Sequence, residues 1–380
     1  MRSKTIQFNK PYISSAESRA ASGAIRKSRI VGNGPYCKEC ESILEKRFGS
    51  RHALLTTSGT HALELALMLI GLKPGDEVIC PSFTFVSTAN AIVRQKAVPV
   101  FAEIDEHTLN IDPADMEKKI TRKTRAVVPV HYAGVSCDMD LIMKIARKKG
   151  IAVVEDAAHG INARYHGKYL GAIGDMGAFS FHATKNVTCG EGGALLTSSG
   201  DYFDQAEIKR EKGTNRAAYL KGQIDKYSWI DDGSSYVLSD ILASVLLEQL
   251  KKMDDITGKR KKIFLRYRDG LQCLADKGII ILPHVPDGID INGHIFYFRV
   301  NSEKERDNCI AKLRQSGIEA TFHFVPLHTS PYGRKVLGYR PGDFPMTELA
   351  SSTLIRLPIY PGLSGSDADF IIDSVKKILF

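Results

Sequence analysis

The sequence predicts an α/β protein with a mainly parallel central sheet, followed by a smaller C-terminal α+β unit. Two observations predict the sheet. From about residue 50, short Val- and Ile-rich runs alternate with runs of helical period, and Gly and Pro bound the extended pieces. A third predicts the division. At 380 residues the chain can bury a large core and should hold two domains, and its βα rhythm stops after about residue 200.

In order, HALLTT (52–57) reads as a strand and THALELALMLIGL (60–72) as a largely buried helix. PGDEVICP is a turn feeding a strand, and SFTFVSTANAIVRQ is helical. VPVFAEI (98–104) is a strand, ADMEKKI (114–120) a helix, RAVVPVHY (125–132) a strand, DMDLIMKIARKKG (138–150) a helix and IAVVEDA (151–157) a strand. Two shorter strands, DMGAFSFH and GGALLT, bracket Lys185. LSDILASVLLEQLKKMDDI (238–256) has helical spacing and continues, basic and polar, through Arg268 as one helix or two. HIFYFRV (294–300), a helix across 303–316 and IEATFHFV (318–325) suggest the small α+β layer. The domain change is expected inside the long helix, giving a large domain over 1–245 and a small one over 246–380.

Composition excludes several classes. No run reaches the length of a membrane-spanning helix, and MRSKTIQFNKPY lacks the apolar core of a signal peptide. Seven cysteines are an odd number, and the CKEC at Cys37 and Cys40 has no second ligand pair to complete a zinc site. A reduced, cytoplasmic protein without structural metal is expected. The formal charge of +9 comes from small basic groups interrupted by acids, with no interleaved aromatics. It suits an anionic small substrate better than nucleic acid.

Four features fall at the ends of expected strands, where open α/β sheets bind ligands. In TSGTHAL the chain turns at Ser58, Gly59 and Thr60 into a helix, whose N-terminal N–H groups can hold a phosphate. A plain helix cap explains the same residues. In VVEDAAH, Asp156 ends a buried strand and needs a partner such as a protonated ring nitrogen, or else caps the next turn. In PSFTF, Phe85 could stack on a planar ring or belong to the core. Lys185 lies between FSFH and a glycine cluster, where a desolvated lysine could form a Schiff base or simply face solvent. One explanation covers all four: phosphate cup, stacking ring, acidic partner for a pyridinium nitrogen and Schiff-base lysine are the parts of a pyridoxal phosphate site.

The pieces SGTHALELAL, PGDEVICPSFTFVSTANAI, VVPVHYAG, VVEDAAHG, GAFSFHATKN, GEGGALLT and LPIYPGLS, with the early VGNGPYCKECESILEKRFG, resemble the DegT/DnrJ/EryC1/StrS nucleotide-sugar aminotransferases nearly end to end. These are fold-type I pyridoxal phosphate enzymes. The resemblance implies that Lys185 is the cofactor-bearing lysine and proton shuttle, and that Asp156 partners the pyridinium. It implies that Phe85 stacks on the ring and that His159 lies beside the ring hydroxyl, where many relatives carry Gln. Gly59, Thr60 and Ser180 then take the phosphate, with Ser58 close by. Related sugar dehydratases carry His at the lysine position. The family's G-x-N-Y-R-M is here GSSYVLSD, with Ser235 in the Asn place and Val237 in the Arg place.

Within the family, the run 210–240 is most similar to transaminases that make dTDP-4-amino-4,6-dideoxygalactose, a precursor of enterobacterial common antigen. By that resemblance dTDP-4-keto-6-deoxyglucose is the acceptor, L-glutamate the amino donor, and the enzyme a homodimer with shared active sites. Lys212, Arg216, Lys221 and Lys226 could meet a nucleotide diphosphate, and Trp229 could pack on a base or sugar. A solvated basic loop explains any one of them as well. Two other outcomes stay open: amination of another keto sugar, at C3 or with the opposite C4 epimer, and a pyridoxal-binding regulator without turnover.

Overall fold

The βα alternation read from the sequence is the backbone plan of the computed structural model, which describes residues 5–380. Two helices that the periodicity did not place, α1 (Ser15–Arg26) and α2 (Pro35–Phe48), precede β1 (His52–Thr56). Then follow α3 (Gly59–Ile70), β2 (Glu77–Pro81), α4 (Val86–Arg94), β3 (Val98–Ala102), α5 (Pro113–Lys118), β4 (Thr124–Val127), α6 (Met139–Lys149) and β5 (Ala152–Asp156). A short hairpin, β6 (Arg164–Tyr165) and β7 (Lys168–Tyr169), leads to β8 (Met176–Ser180) and β9 (Gly193–Thr197). Helices α7 (Gly200–Arg210) and α8 (Arg216–Leu220) come next.

The seven main strands lie in the order β1-β9-β8-β5-β4-β2-β3. Only β9 runs against the others, between β1 and β8. The strands that end in the predicted motifs therefore all point their C-termini to one edge. Both faces are covered, as their apolar composition requires. Leu54, Val154, Ala178 and Leu195 join one core, while Leu55, Phe179 and Leu196 join a second and Val153 a third. Alternate side chains of one strand thus enter different cores, the period-two consequence of the pleat.

The strand expected over 125–132 ends at Val127, because Pro129 has no N–H to donate. Beyond it the chain turns through a 3₁₀ segment, Tyr132–Gly134. The expected long helix is two helices, α9 (Asp240–Lys251) and α10 (Met253–Asp276), broken at Lys252. Met253 packs with α2 and β1, whereas Ile263 packs with the C-terminal core.

The remaining elements are β10 (Ile289–Asp290), β11 (Phe296–Arg299), α11 (Glu303–Gln315), α12 (Pro331–Lys335), α13 (Pro345–Thr353), β12 (Leu354–Leu357) and α14 (Gly365–Leu379), with β11 and β12 pairing antiparallel. The C-terminal core is built by α10, β11, α11, β12 and α14. The run 318–325 is not a strand. It makes only the isolated bridges Ile6 to Ile318 and Thr321 to Arg356. Its residues are divided between two cores, Ile318 and Ala320 in the C-terminal one and Phe324 against Phe83 and Tyr132, so no continuous edge is left to pair. Cys37 and Cys40 lie on the buried face of α2, their thiols directed at the Leu238 and Ala243 carbonyls.

Candidate active site

At the C-terminal edge of the sheet a pocket of about 400 Å³ gathers Ser58, Gly59, Thr60, Phe85, Asp156, His159, Ser180 and Lys185. Every cofactor residue read from the sequence lines it. They arrive from β1, β2, β5 and β8, which are parallel to one another and bring their ends together.

Ser58 caps α3, its hydroxyl accepting the His61 N–H at 3.1 Å. The hydroxyl oxygen thus caps the helix while its O–H remains to donate, and the N–H groups of Gly59 and Thr60 are left at the head of the helix without an intrahelical acceptor. Thr60 is hydrogen-bonded to Ser87 at 2.8 Å. A Cβ on Gly59 would stand 2.7 Å from the Ser180 Cβ, so only glycine lets α3 begin against the end of β8. Gly193 plays the matching part from β9: a Cβ there would lie 2.3 Å from the Ser58 carbonyl oxygen. Of the glycines after Lys185, it is Gly193 that serves this turn.

Along β5 two adjacent carboxylates go to opposite sides. Glu155 is fully buried and accepts the N–H groups of Gly171, Ile173 and Gly174 at 2.6–2.8 Å. His131 Nε2 lies 2.9 Å from it, while His131 Nδ1 accepts the Cys137 N–H and so fixes the tautomer. Asp156 faces the pocket. Its Oδ2 accepts from the Thr88 hydroxyl at 2.8 Å and its Oδ1 from the Ala158 N–H at 3.2 Å. Burial pushes its carboxyl above the ordinary value, against those two donors and the nearby Lys185 charge.

Lys185 is half-buried in the loop between β8 and β9. Its ammonium has no hydrogen-bond or ion-pair partner among the described residues. Burial lowers its pKa to about 8, against the pull of Asp156 and with help from Arg356. The next residue fastens the loop. The Asn186 Oδ1 accepts from Arg260 Nε and from His294 Nδ1, both at 2.8 Å, and its Nδ2 donates to the Asn292 carbonyl. Phe85 is 59% exposed at the rim; the core aromatic of PSFTF is Phe83 instead, at 1%. His159 is buried with its Nδ1 unpartnered, and burial drives its pKa well below 6.5, so the ring is neutral.

Sequence reasoning missed Thr88, Asn186, Arg260, His294, His323 and Arg356. Thr88 and Asn186 stood inside the motifs quoted above, but a hydroxyl or amide carries no signal until its partner is known. The others come from the C-terminal unit, far away in sequence, and only the folded chain brings them to the pocket.

None of Lys212, Arg216, Lys221, Lys226 and Trp229 lines this pocket in its own chain. They belong to an excursion closed at its neck by the Glu211 to Ser235 bridge and inside by Thr214 to Trp229. Arg216 is paired with Glu211, and Lys221 with Glu207 at 2.6 Å. Trp229 is 81% exposed. The excursion is tied to the phosphate turn, since the Tyr236 carbonyl accepts the Thr57 N–H and the Tyr236 hydroxyl donates to Glu64. Val237, in the place of the family's Arg, packs against Gly32.

The family model described as the DegT/DnrJ/EryC1/StrS aminotransferase family matches residues 11–376. The chain belongs to this family. The spore coat polysaccharide biosynthesis protein SpsC of Bacillus subtilis is 37% identical over 386 residues, covering 100% of this chain and 98% of its own. Among solved structures, DesV of S. venezuelae has 32% identity and a TM-score of 0.89 over 99% of this chain and 98% of its own. The putative sugar aminotransferase Spr1654 of Streptococcus pneumoniae, in its PLP form, has 29% identity and a TM-score of 0.90 over 99% and 100%. The aminotransferase has the fold-type I architecture of pyridoxal phosphate enzymes.

Its pocket residues fit that cofactor. The Gly59 cradle at the head of α3 suits a phosphate. The buried Asp156, held only by neutral donors, suits a protonated ring nitrogen. The orphaned His159 Nδ1 suits a ring oxygen.

Proposed function

We propose that this enzyme transfers the amine of L-glutamate to C4 of dTDP-4-keto-6-deoxy-D-glucose, giving dTDP-4-amino-4,6-dideoxy-D-galactose. One observation carries the aminotransferase chemistry. Lys185 is an amine of lowered pKa in the same pocket as a buried carboxylate, and each lacks the ionic partner that a pyridinium aldehyde would supply.

Bound pyridoxal phosphate supplies an electron sink for a carbanion beside the transferred nitrogen. The chain's own groups do the rest. Lys185 would carry the cofactor covalently and, once displaced by the donor amine, would move the proton between the substrate Cα and the cofactor C4′ as general base and acid. Asp156 keeps the ring nitrogen protonated, and Thr88 aims it. Phe85 covers one ring face against water, and His159 holds the ring oxygen. Gly59, Thr60 and Ser180 receive the phosphate, with Ser58 shaping the turn.

The acceptor assignment rests on the 210–240 run. Its exposed Trp229 and basic residues have no role within their own chain's pocket, which supports a homodimer whose excursions serve the partner's site. Large and small domains over 1–245 and 246–380 and a cytoplasmic location complete the proposal, with enterobacterial common antigen or lipopolysaccharide as the destination. SpsC favours a second reading, in which a different keto nucleotide sugar serves another surface polysaccharide. A panel of keto nucleotide sugars, assayed with L-glutamate and with product stereochemistry by NMR, separates the two.

A further inference from the structure

Asp156 lies past the point where β5 is paired to β4. The register between them runs from Ala126 opposite Ala152 to Val127 opposite Val153, and there it stops. On the other side Asp156 is held in the ladder, opposite Ala178 of β8. On the β4 side the ladder lapses, because Pro129 has no N–H to give. Contacts from 129–131 replace it. The Pro129 carbonyl accepts the Asp156 N–H at 2.9 Å, Val130 forms an isolated bridge to Asp156, and the Asp156 carbonyl accepts the His131 N–H at 3.2 Å.

The His131 side chain adds a second hold. Its Nε2 lies 2.9 Å from Glu155 Oε2, and its Nδ1 accepts the Cys137 N–H at 3.2 Å. A ring nitrogen that accepts carries no proton, so the proton is on Nε2 and is donated to Glu155. One residue thus grips two consecutive residues of β5, Asp156 through its main chain and Glu155 through its ring. Side chains alternate along a strand, so fixing Glu155 on one face fixes the roll of the strand and the aim of Asp156 on the other. His131 and Glu155 are both wholly buried, and no water competes for the contact.

Glu155 does not need the imidazole to be satisfied. It already accepts the N–H groups of Gly171, Ile173 and Gly174, and three such donors suffice for a buried carboxylate. Asp156 is the more exacting of the two. Only the Thr88 hydroxyl and the Ala158 N–H reach it, and a charge-assisted bond to a ring nitrogen is sensitive to its direction.

We propose that His131 is a positioning residue, which through Glu155 and the end of β5 aims the Asp156 carboxylate at the ring nitrogen of the cofactor. It does not itself line the pocket. The assignment rests on the reading of Asp156 as the partner of that nitrogen.

Apoenzyme reloaded with pyridoxal phosphate, or with deazapyridoxal phosphate, in which a C–H replaces the ring nitrogen, tests this by binding alone. Wild type should hold the natural cofactor about tenfold or more tighter, since only a protonated nitrogen gives Asp156 a partner. The ratio of the two dissociation constants is the readout, because a merely structural defect weakens both alike. His131→Asn can still accept from Cys137 but is too short for Glu155, and it should bring the ratio within about threefold of unity. His131→Gln, which reaches Glu155, should keep most of the preference. With Asp156→Ala already in place, His131→Asn should leave the ratio where it is. Glu155→Gln weakens the same link from its other end and should also lower the ratio, which decides the matter if His131→Asn does not fold. The wild-type ratio in His131→Asn or in Glu155→Gln, or a ratio that still falls once Asp156 is gone, would overturn the assignment. A wild-type enzyme that binds both cofactors alike would instead remove Asp156 as the partner of the ring nitrogen, and this assignment with it.

Discussion

The Thr88 hydroxyl donates to Asp156 Oδ2 across 2.8 Å, so a fully enclosed carboxylate is held by a neutral donor rather than by a cation. Burial raises the folded carboxyl above its ordinary 3.8, against the pull of that hydrogen bond. Between that value and the folded pKa the native state keeps a proton that the unfolded chain has lost. Apoprotein stability must then fall as pH rises through this window. Asp156→Asn removes the charge while its amide can still serve both neighbours. The apo variant should melt a few degrees above wild-type apoprotein at pH 7, yet gain less from added cofactor. Asp156→Ala should hold cofactor through the phosphate turn and lose most turnover. Near-normal activity in that variant would contradict the assigned role.

The same strand explains what was legible in the sequence. Asp156 could be singled out because β5 is a buried run ending in small residues, and Lys185 because two strands bracket it. Glu155, one residue earlier, looked no different from Asp156 in one dimension. Pairing β5 with β4 and β8 turns one carboxylate to the pocket and the other to the 171–174 loop. Arg356 was hidden for another reason. Nothing local distinguishes a pocket arginine in LIRL from a surface one, and the small sheet that aims it is assembled from segments about sixty residues apart.

Lys185 gives a prediction with a definite pH. Its folded pKa of about 8 lies below the ordinary 10.5. The cost of burying its charge is thus present in full below about pH 8 and is relieved as pH rises toward 10.5. Capture of pyridoxal phosphate by the apoprotein, trapped with borohydride and followed by peptide mapping, should reach half its maximal rate near pH 8. Asp156→Asn should move the midpoint down, and Arg356→Gln should move it up. Lys185→Ala should lose the visible aldimine band, and label on any other lysine would refute the site.

Ser82, His328 and Glu348 stand in the order of a hydrolase triad, with 2.7 Å from the Ser82 hydroxyl to His328 Nδ1 and 3.0 Å from His328 Nε2 to Glu348. Ser82 and His328 are both wholly buried, so no ester can reach them. The network is a strut that fastens 323–328, one wall of the pocket, to the end of β2. Ser82→Ala should lower stability by about 1–3 kcal/mol in a denaturant melt, because His328 would lose the partner of its Nδ1 and its N–H acceptor. Hydrolysis of an activated ester that depends on Ser82 would refute the structural role.

The excursion 210–240 separates its cations into two kinds. Arg216 and Lys221 are already paired with Glu211 and Glu207, while Lys212 and Lys226 have no ion pair among the described residues. A contact to a diphosphate shielded from water is worth about 1.5–3 kcal/mol. Lys212→Ala and Lys226→Ala should therefore raise KM for the nucleotide sugar by about tenfold and leave the glutamate half-reaction unchanged. Arg216→Ala and Lys221→Ala should do less. If the excursion serves the partner's site, mixing Lys185→Ala subunits with subunits inactivated in this run should recover activity. Heterodimers that form without recovery would count against shared sites.

The stereochemistry of the product is the most exposed of these expectations. The face on which Lys185 would return its proton to C4 decides between an axial and an equatorial amine, and a single lysine would serve one face only. The sugar's orientation is set by what holds its diphosphate, which is why the 210–240 run bears on the epimer as well as on affinity. With dTDP-4-keto-6-deoxyglucose as acceptor, the expected product is the axial 4-amine, the galacto isomer. The measurement has two parts: cofactor absorbance with L-glutamate alone, then product NMR after the ketosugar is added. Conversion in the first part with an equatorial amine in the second, or with amination at C3, would reject the acceptor and leave the aminotransferase chemistry standing. No spectral change with any amino acid would reject the chemistry itself.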